Sequence, residues 1–152
     1  MNYEIRPLCY AEILDSANSE QLLAEYAAEC SIPEIGVPNP QKELYAQMES
    51  SGLMKCFGVF GDGVLIGFAA MLFFVVPHYG KKVASVESLF VEQEHRSSGM
   101  GISLMRTIEE EAKASGCVAV LYSAPTGSQL ERLLSLSKSC RRTNSVFTNR
   151  LQ

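Results

Sequence analysis

The chain has 152 residues, enough for one domain with one substantial core. Apolar residues make up 47% and charged residues 20%, values ordinary for a soluble globular protein. A formal net charge of −4 excludes any general electrostatic attraction to nucleic acid or to anionic membranes. The charge is uneven, with Lys138, Arg141, Arg142 and Arg150 crowded near the C-terminal end and Glu109, Glu110 and Glu111 upstream.

Met1-Asn2-Tyr3-Glu4 lacks a basic region followed by an apolar run, so no targeting signal is expected and cytoplasmic residence is the default. The longest apolar stretch, Val64 to Val76, is interrupted by Gly67 and too short to cross a bilayer as a helix. Cys9, Cys30, Cys56, Cys117 and Cys140 form no C-x-x-C pair, and His78 and His95 lie near none of them. Neither a zinc site nor a disulfide framework is expected, and the cysteines read as small buried apolar residues.

In chain order, Tyr3 to Leu8 alternates weakly and reads as a first strand. A helix is expected from Asn18, with Gln21 as capping-box partner and Leu22, Leu23, Tyr26, Ala27 and Cys30 at helical spacing. Ile32 to Pro38 reads as a loop. Asn39-Pro40 then predicts the start of a second helix, whose stripe is Leu44, Tyr45 and Met48. Tyr26 and Tyr45 read as helix-face packing. Lys55 to Phe60 and Val64 to Val76 flank Gly61-Asp62-Gly63, a strong hairpin signal. A third meander strand is expected over Val83 to Val91, after the turn Pro77-His78-Tyr79-Gly80. From Gly101 the pattern turns helical, with Ile102, Met105, Ile108 and Ala112 on one face, a Glu109–Lys113 pair and a stop at Gly116. Cys117 to Tyr122 predicts a buried strand, followed by a helix over Gly127 to Leu136 and a last strand over Ser145 to Leu151.

The segment from Val86 to Gly101 runs strand, loop, glycine turn, helix. Gly99 and Gly101 let the backbone approach a bulky anion, and the first N–H groups of the helix have no intrahelical partners. With the positive end of the helix dipole behind them, they make a pyrophosphate site. Arg96 adds a cation; Ser97, Ser98 and Ser103 add hydroxyls. A Walker loop needs Gly-Lys-Ser/Thr, and no lysine occurs between Lys82 and Lys113. A dinucleotide fingerprint needs a third glycine where Leu104 stands.

Arg96-x-x-Gly99-x-Gly101, behind the strand Glu87-Ser88-Leu89-Phe90-Val91, resembles the Gln/Arg-x-x-Gly-x-Gly/Ala signature of the GNAT N-acetyltransferases. The order of elements agrees over roughly the whole chain. The resemblance implies one α/β (α+β) domain over 1–152, with a mixed, mostly antiparallel central sheet of six to seven strands flanked by about four helices. It implies acetyl-CoA, or coenzyme A, as the bound acyl donor and no metal. Main-chain groups of Leu89, Phe90 and Val91 are expected to hold the pantetheine arm. Arg96, Ser97, Ser98, Gly99, Met100, Gly101, Ile102 and Ser103 are expected around the pyrophosphate, and a strand N–H here to polarise the thioester carbonyl.

The implied reaction is acetyl transfer to a primary amine of a small molecule or protein, with Glu87 as the general base. The competing reading of Glu87 is an exposed carboxylate paired with Lys81 or Lys82. The family's tyrosine on the last helix is missing from Leu130 to Lys138, and the asparagine after the fifth strand is missing from Pro125 to Ser128. Ser135, Ser137 or water then remain as proton donors to the thiolate. His78 and Tyr79 are candidates for the acceptor site, and Arg141 and Arg142 for the 3′-phosphate or an acidic acceptor. The alternatives in function are an inactive CoA-binding or sensing module and a non-enzymatic interaction protein. Partners expected are the amine acceptor and, through exposed strands, a second copy of the chain.

Overall fold

A computed structural model describes all 152 residues. Five strands, β1 (Tyr3–Leu8), β2 (Met54–Gly61), β3 (Val64–Val76), β4 (Lys81–Val91) and β5 (Val120–Leu121), form one sheet in the order β1-β2-β3-β4-β5. The first four are antiparallel neighbours, and β5 lies parallel to β4. Helices α1 (Tyr10–Leu14), α2 (Ser19–Cys30), α3 (Lys42–Ser50), α4 (Met100–Ala114) and α5 (Gln129–Leu136) accompany it, with a 3-10 turn at Gln93–Ser98. No helix is long and apolar enough to cross a membrane.

The sheet is covered on both faces. On one, Phe57, Val59, Ile66, Met71 and Val86 pack against Leu104, Ile108 and Ala112 of α4. On the other, Cys56, Leu65, Phe68, Ala70 and Phe90 pack under Tyr10 and Ile13 of α1, Leu22 of α2 and Tyr45 of α3. A strand buried on both faces carries no polar alternation, which explains the apolar run of β3. The β2–β3 hairpin closes through Asp62 and Gly63, both at positive φ (49° and 82°), as a two-residue turn matched to strand twist requires.

Several expectations move. The capping box at Asn18 does not form: its side-chain amide donates to Leu65 O at 2.7 Å, and Gln21 bonds Glu25 instead. The second helix begins at Lys42, two residues beyond the proposed Pro40 start. On α4 the buried face is Leu104, Ile108 and Ala112, while Ile102 is exposed, and Glu109 accepts from Tyr122 Oη at 2.9 Å rather than pairing with Lys113. The sheet has five strands, not six or seven. Cys117 to Tyr122 contributes only Val120–Leu121, and residues beyond Leu136 form no helix or strand. Val146, Phe147 and Leu151 stand exposed; two of them are adjacent, so they cannot share one face of a strand. Helix α1 was not foreseen, because five residues are too few to show a helical period.

The apolar face beneath α1–α3 holds three phenols whose ionisation folding opposes. Tyr10, 2% exposed, is pushed up to about 12, chiefly by burial. Burial also raises Tyr45 and Tyr26, and the charge of Glu87 adds to both. A proton held more tightly in the folded state stabilises it below the unfolded value near 10, and that stabilisation is lost as pH rises toward 12. Guanidinium midpoints should stay level from pH 7 to about 8 and then fall, first as thiols such as Cys56 and then as the phenols ionise in the unfolded chain. Tyr10→Phe should recover roughly 2–3 kcal/mol of the loss between pH 8 and 12.

Candidate active site

Strand β4 has a partner along its whole length on one side only. Against β3 it pairs from Lys81 through Val91, whereas against β5 it pairs only at Ala84–Val120 and Ser85–Leu121. Beyond Ser85 the two parallel strands part, and the outer edge of Glu87 to Val91 has no strand beside it. Leu89, Phe90 and Val91, the residues expected to receive an extended ligand, lie on this open edge.

The β3–β4 ladder is also irregular at this point. Ala70 faces Ser88 and Met71 faces Val86, so Glu87 is the extra residue of a bulge. A bulge re-aims the side chain it carries. Glu87 accepts a hydrogen bond from Tyr45 Oη on α3 at 3.0 Å. Tyr45, 9% exposed, stacks flat on Tyr10 of α1, with ring centroids 3.6 Å apart and planes 4° from parallel. The row beneath them, Leu8–Cys56–Ala70–Ser88, is mostly small, which leaves room for two rings. Glu87 is not paired with Lys81 or Lys82; Lys82 Nζ donates to Ser115 O at 2.9 Å. Next to Glu87, the Ser88 hydroxyl is buried with no hydrogen-bond partner.

After β4 the chain makes the 3-10 turn, passes Gly99 at φ +82° and enters α4. A branched side chain in that left-handed conformation costs on the order of 1–2 kcal/mol, so Gly99 is set by the turn itself. Gly101 is different. A Cβ there meets nothing within 4 Å, so its bareness serves no packing inside the protein. The first amide of α4 on a carbonyl of the turn is Ser103 N–H, on Gly99 O at 3.1 Å. Met100 N–H leans on Ser98 Oγ at 3.3 Å, and the amides of Gly101 and Ile102 are the helix-start donors. Ser97 is exposed; Ser98 Oγ also donates to His95 O, so it braces the turn.

Arg96 sits otherwise than expected. Its Nε donates to Val91 O at 2.8 Å, and one terminal nitrogen makes a two-pronged contact with Glu29 of α2 at 2.7 and 2.8 Å. The guanidinium lies 5.3 Å from the centre of the Phe90 ring. Arg96 therefore clamps the turn to α2 and to the end of β4. The partner was missed, although one signal pointed to it: Glu29 stands in the last turn of α2, where the helix dipole disfavours a carboxylate. On the other side of the turn, Glu92 is buried, and burial raises its carboxyl, with Glu25 adding to the effect. His95 lies 3.7 Å from it and 3.4 Å from the Tyr3 hydroxyl.

The remaining candidates stand apart. Tyr79 is 70% exposed and stacks loosely with His78 at 4.3 Å in the β3–β4 turn. Arg141 and Arg142 are exposed, the latter 3.7 Å from Glu131. Ser135 is exposed on α5, and Ser137 shares a 3.0 Å contact with Ser139.

The family model described as "Acetyltransferase (GNAT) family" matches residues 20–133, which takes in nearly all of α2, strands β2 to β5 and the whole turn. The chain belongs to the GNAT acetyltransferase family. No curated protein matches it in sequence. Among solved structures it is similar to a ribosomal-protein-alanine N-acetyltransferase from Brucella melitensis, at TM-score 0.74 and 19% identity over 99% of this chain and 100% of that one. An aminoglycoside acetyltransferase from an uncultured soil sample gives 0.72 and 18%, covering 100% and 99%. The aminoglycoside 6′-N-acetyltransferase of Acinetobacter baumannii gives 0.66 and 17%, covering 99% of each. At such identities the likeness is one of fold.

The Arg96–Glu29 clamp is open to a stability test. Glu29→Ala and Arg96→Ala should each lower the urea unfolding free energy by about 1 kcal/mol, as expected of a partly exposed two-pronged pair. Their double variant should lose little more than either alone.

Proposed function

We propose that the chain transfers an acetyl group from acetyl-CoA to a primary amine, with Glu87 as the general base. The reading rests on one juxtaposition: a carboxylate re-aimed by a bulge stands where β4 loses its β5 partner, upstream of the Gly99 turn that opens a helix. The bare Gly101, the helix-start amides of Gly101 and Ile102, and the edge from Leu89 to Val91, which has no strand beside it though Arg96 takes the Val91 carbonyl, suit a pyrophosphate joined to an extended arm. Acetyl-CoA supplies the acetyl group as a thioester, an acyl donor activated toward amines.

The protein's own work is then binding and proton handling. Ser97, Gly99, Met100, Gly101, Ile102 and Ser103 surround the pyrophosphate through the start of α4. Main-chain groups of Leu89, Phe90 and Val91 align the pantetheine arm like a strand. An alkylamine with a pKa near 10.4 is almost all ammonium at neutral pH, so a base must take its proton before attack. Glu87 faces no cation within salt-bridge distance and keeps one carboxylate oxygen free of protein donors. Arg96 supports the turn from behind, held by Glu29 and Val91.

A CoA-binding module without catalysis is the second reading, favoured by one observation. The tyrosine that follows β5, Tyr122, has its hydroxyl on Glu109 at 2.9 Å and its pKa raised by burial, and α5 carries none. Tight CoA binding with no thiol release from any acceptor would favour it.

Two experiments test the leading reading. Gly101→Val should leave the melting temperature unchanged while calorimetry shows CoA binding lost; retained binding would move the pyrophosphate elsewhere. Glu87→Gln should lower the rate of thiol release by about 10²–10⁴-fold with CoA affinity unchanged. Suitable acceptors are an alanine-terminated peptide and an aminoglycoside, the amines named for two structural neighbours.

A further inference from the structure

Glu87, like Arg96, is held by a partner distant in sequence. Tyr45 comes from α3, forty-two positions upstream, and its hydroxyl reaches Glu87 Oε1 at 3.0 Å. The tyrosine cannot swing away. Its ring lies flat on Tyr10, 3.6 Å between centroids, and the pair is almost wholly buried. Tyr10 is fixed in turn: its backbone N–H donates to Glu49 of α3 at 3.0 Å, and its ring meets Phe68 edge-on. One rigid stack thus ends in a single hydroxyl aimed at one oxygen of the carboxylate.

We propose that Tyr45 is the positioning residue of the acetyl-transfer site: its stacked phenol holds Glu87 Oε1 and so leaves Oε2 directed to the acceptor amine. This assignment rests on Glu87 acting as the base in the reaction proposed above. A carboxylate on a bulge has several rotamers within reach, and an exposed one samples them all. The hydrogen bond to Oε1 selects one. A carboxylate accepts through both oxygens, so occupying the first does not block proton uptake at the second.

The groups around Glu87 leave Tyr45 unrivalled in this role. Tyr10 of α1, Tyr26 of α2 and Cys56 of β2 are the other titratable groups that sense its charge, and burial raises each of them. They stay neutral at assay pH, and none of them donates a hydrogen bond to Glu87. No lysine or arginine forms an ion pair with it.

Tyr45→Phe keeps the ring stack and removes only the hydroxyl. Its melting temperature should match wild type, its KM for acetyl-CoA should be unchanged, and kcat should fall about 5–30-fold, the worth of a charge-assisted hydrogen bond partly open to solvent. In the Glu87→Gln background the same substitution should cost nothing, because the positioned base is gone. A purely structural tyrosine would give the same loss in both backgrounds, and that additivity would overturn the assignment. A second measurement needs no acceptor. In protein labelled with ¹³C at glutamate carboxyl carbons, the resonance missing from Glu87→Gln should shift in Tyr45→Phe at pH 7. An unmoved resonance would show that the hydrogen bond is absent in solution and would overturn the proposal. Full activity of Glu87→Gln with a shifted resonance would instead refute the base, leaving the Tyr45 contact standing without a role.

Discussion

The parting of β4 from β5 is the constraint on which the rest of the structure depends. Two parallel strands that stayed together would satisfy each other's main-chain groups and close the sheet. Here they share only Ala84–Val120 and Ser85–Leu121, and beyond Leu121 the chain leads away from β4 toward α5. From Glu87 to Val91 the outer edge of β4 then has no strand beside it. The bulge at Glu87 sits just beyond the last shared pair, where the ladder is held from one side and an extra residue is tolerated. The same five residues therefore offer both a main-chain edge and a re-aimed carboxylate.

The turn that follows must hold its shape without help from packing on its open side. Gly101 has no neighbour for a Cβ, so stiffness has to come from behind. Arg96 supplies it, tying the turn to Val91 O and to Glu29 on α2, while His95 meets Tyr3 of β1 on the other flank. An arginine fork suits this task better than a lysine, since two nitrogens act at once in fixed geometry. Arg96 thus braces the turn, and in the proposed function the donors to the pyrophosphate are the backbone amides of α4.

The parts legible in the sequence were those in which chemistry and neighbours lie close along the chain. The stretch from Glu87 to Gly101 carries its own strand, turn and helix start, and Asp62-Gly63 announces its hairpin; both stand where expected. Contacts between distant segments left weaker marks. Tyr45 looked like any aromatic on a helix stripe, because nothing local tells a packing ring from one whose hydroxyl meets a carboxylate across the core. Glu29 carried a faint mark in its place at the wrong end of a helix dipole. The last strand was misjudged for a reason of packing: Ser145 to Leu151 has β-favouring residues but no single apolar face, and propensity without burial does not make a strand.

Acyl transfer to an amine moves two protons, one lost by the amine and one gained by the departing thiolate, and the two make unequal demands. A thiol ionises near pH 8.5, so a thiolate leaves without a donor at neutral pH at little cost. An alkylammonium near 10.4 must be deprotonated before it can attack at all. The protein is built accordingly. No tyrosine stands on α5, Tyr122 is turned onto Glu109, and the serines of α5 and beyond face solvent or each other. In the proposed reaction the amine's proton goes to Glu87, where α3 brings one hydroxyl whose ring is stacked on Tyr10 of α1. In that reaction the organised groups lie where the harder proton is moved, and the lack of a tyrosine on α5 does not touch them.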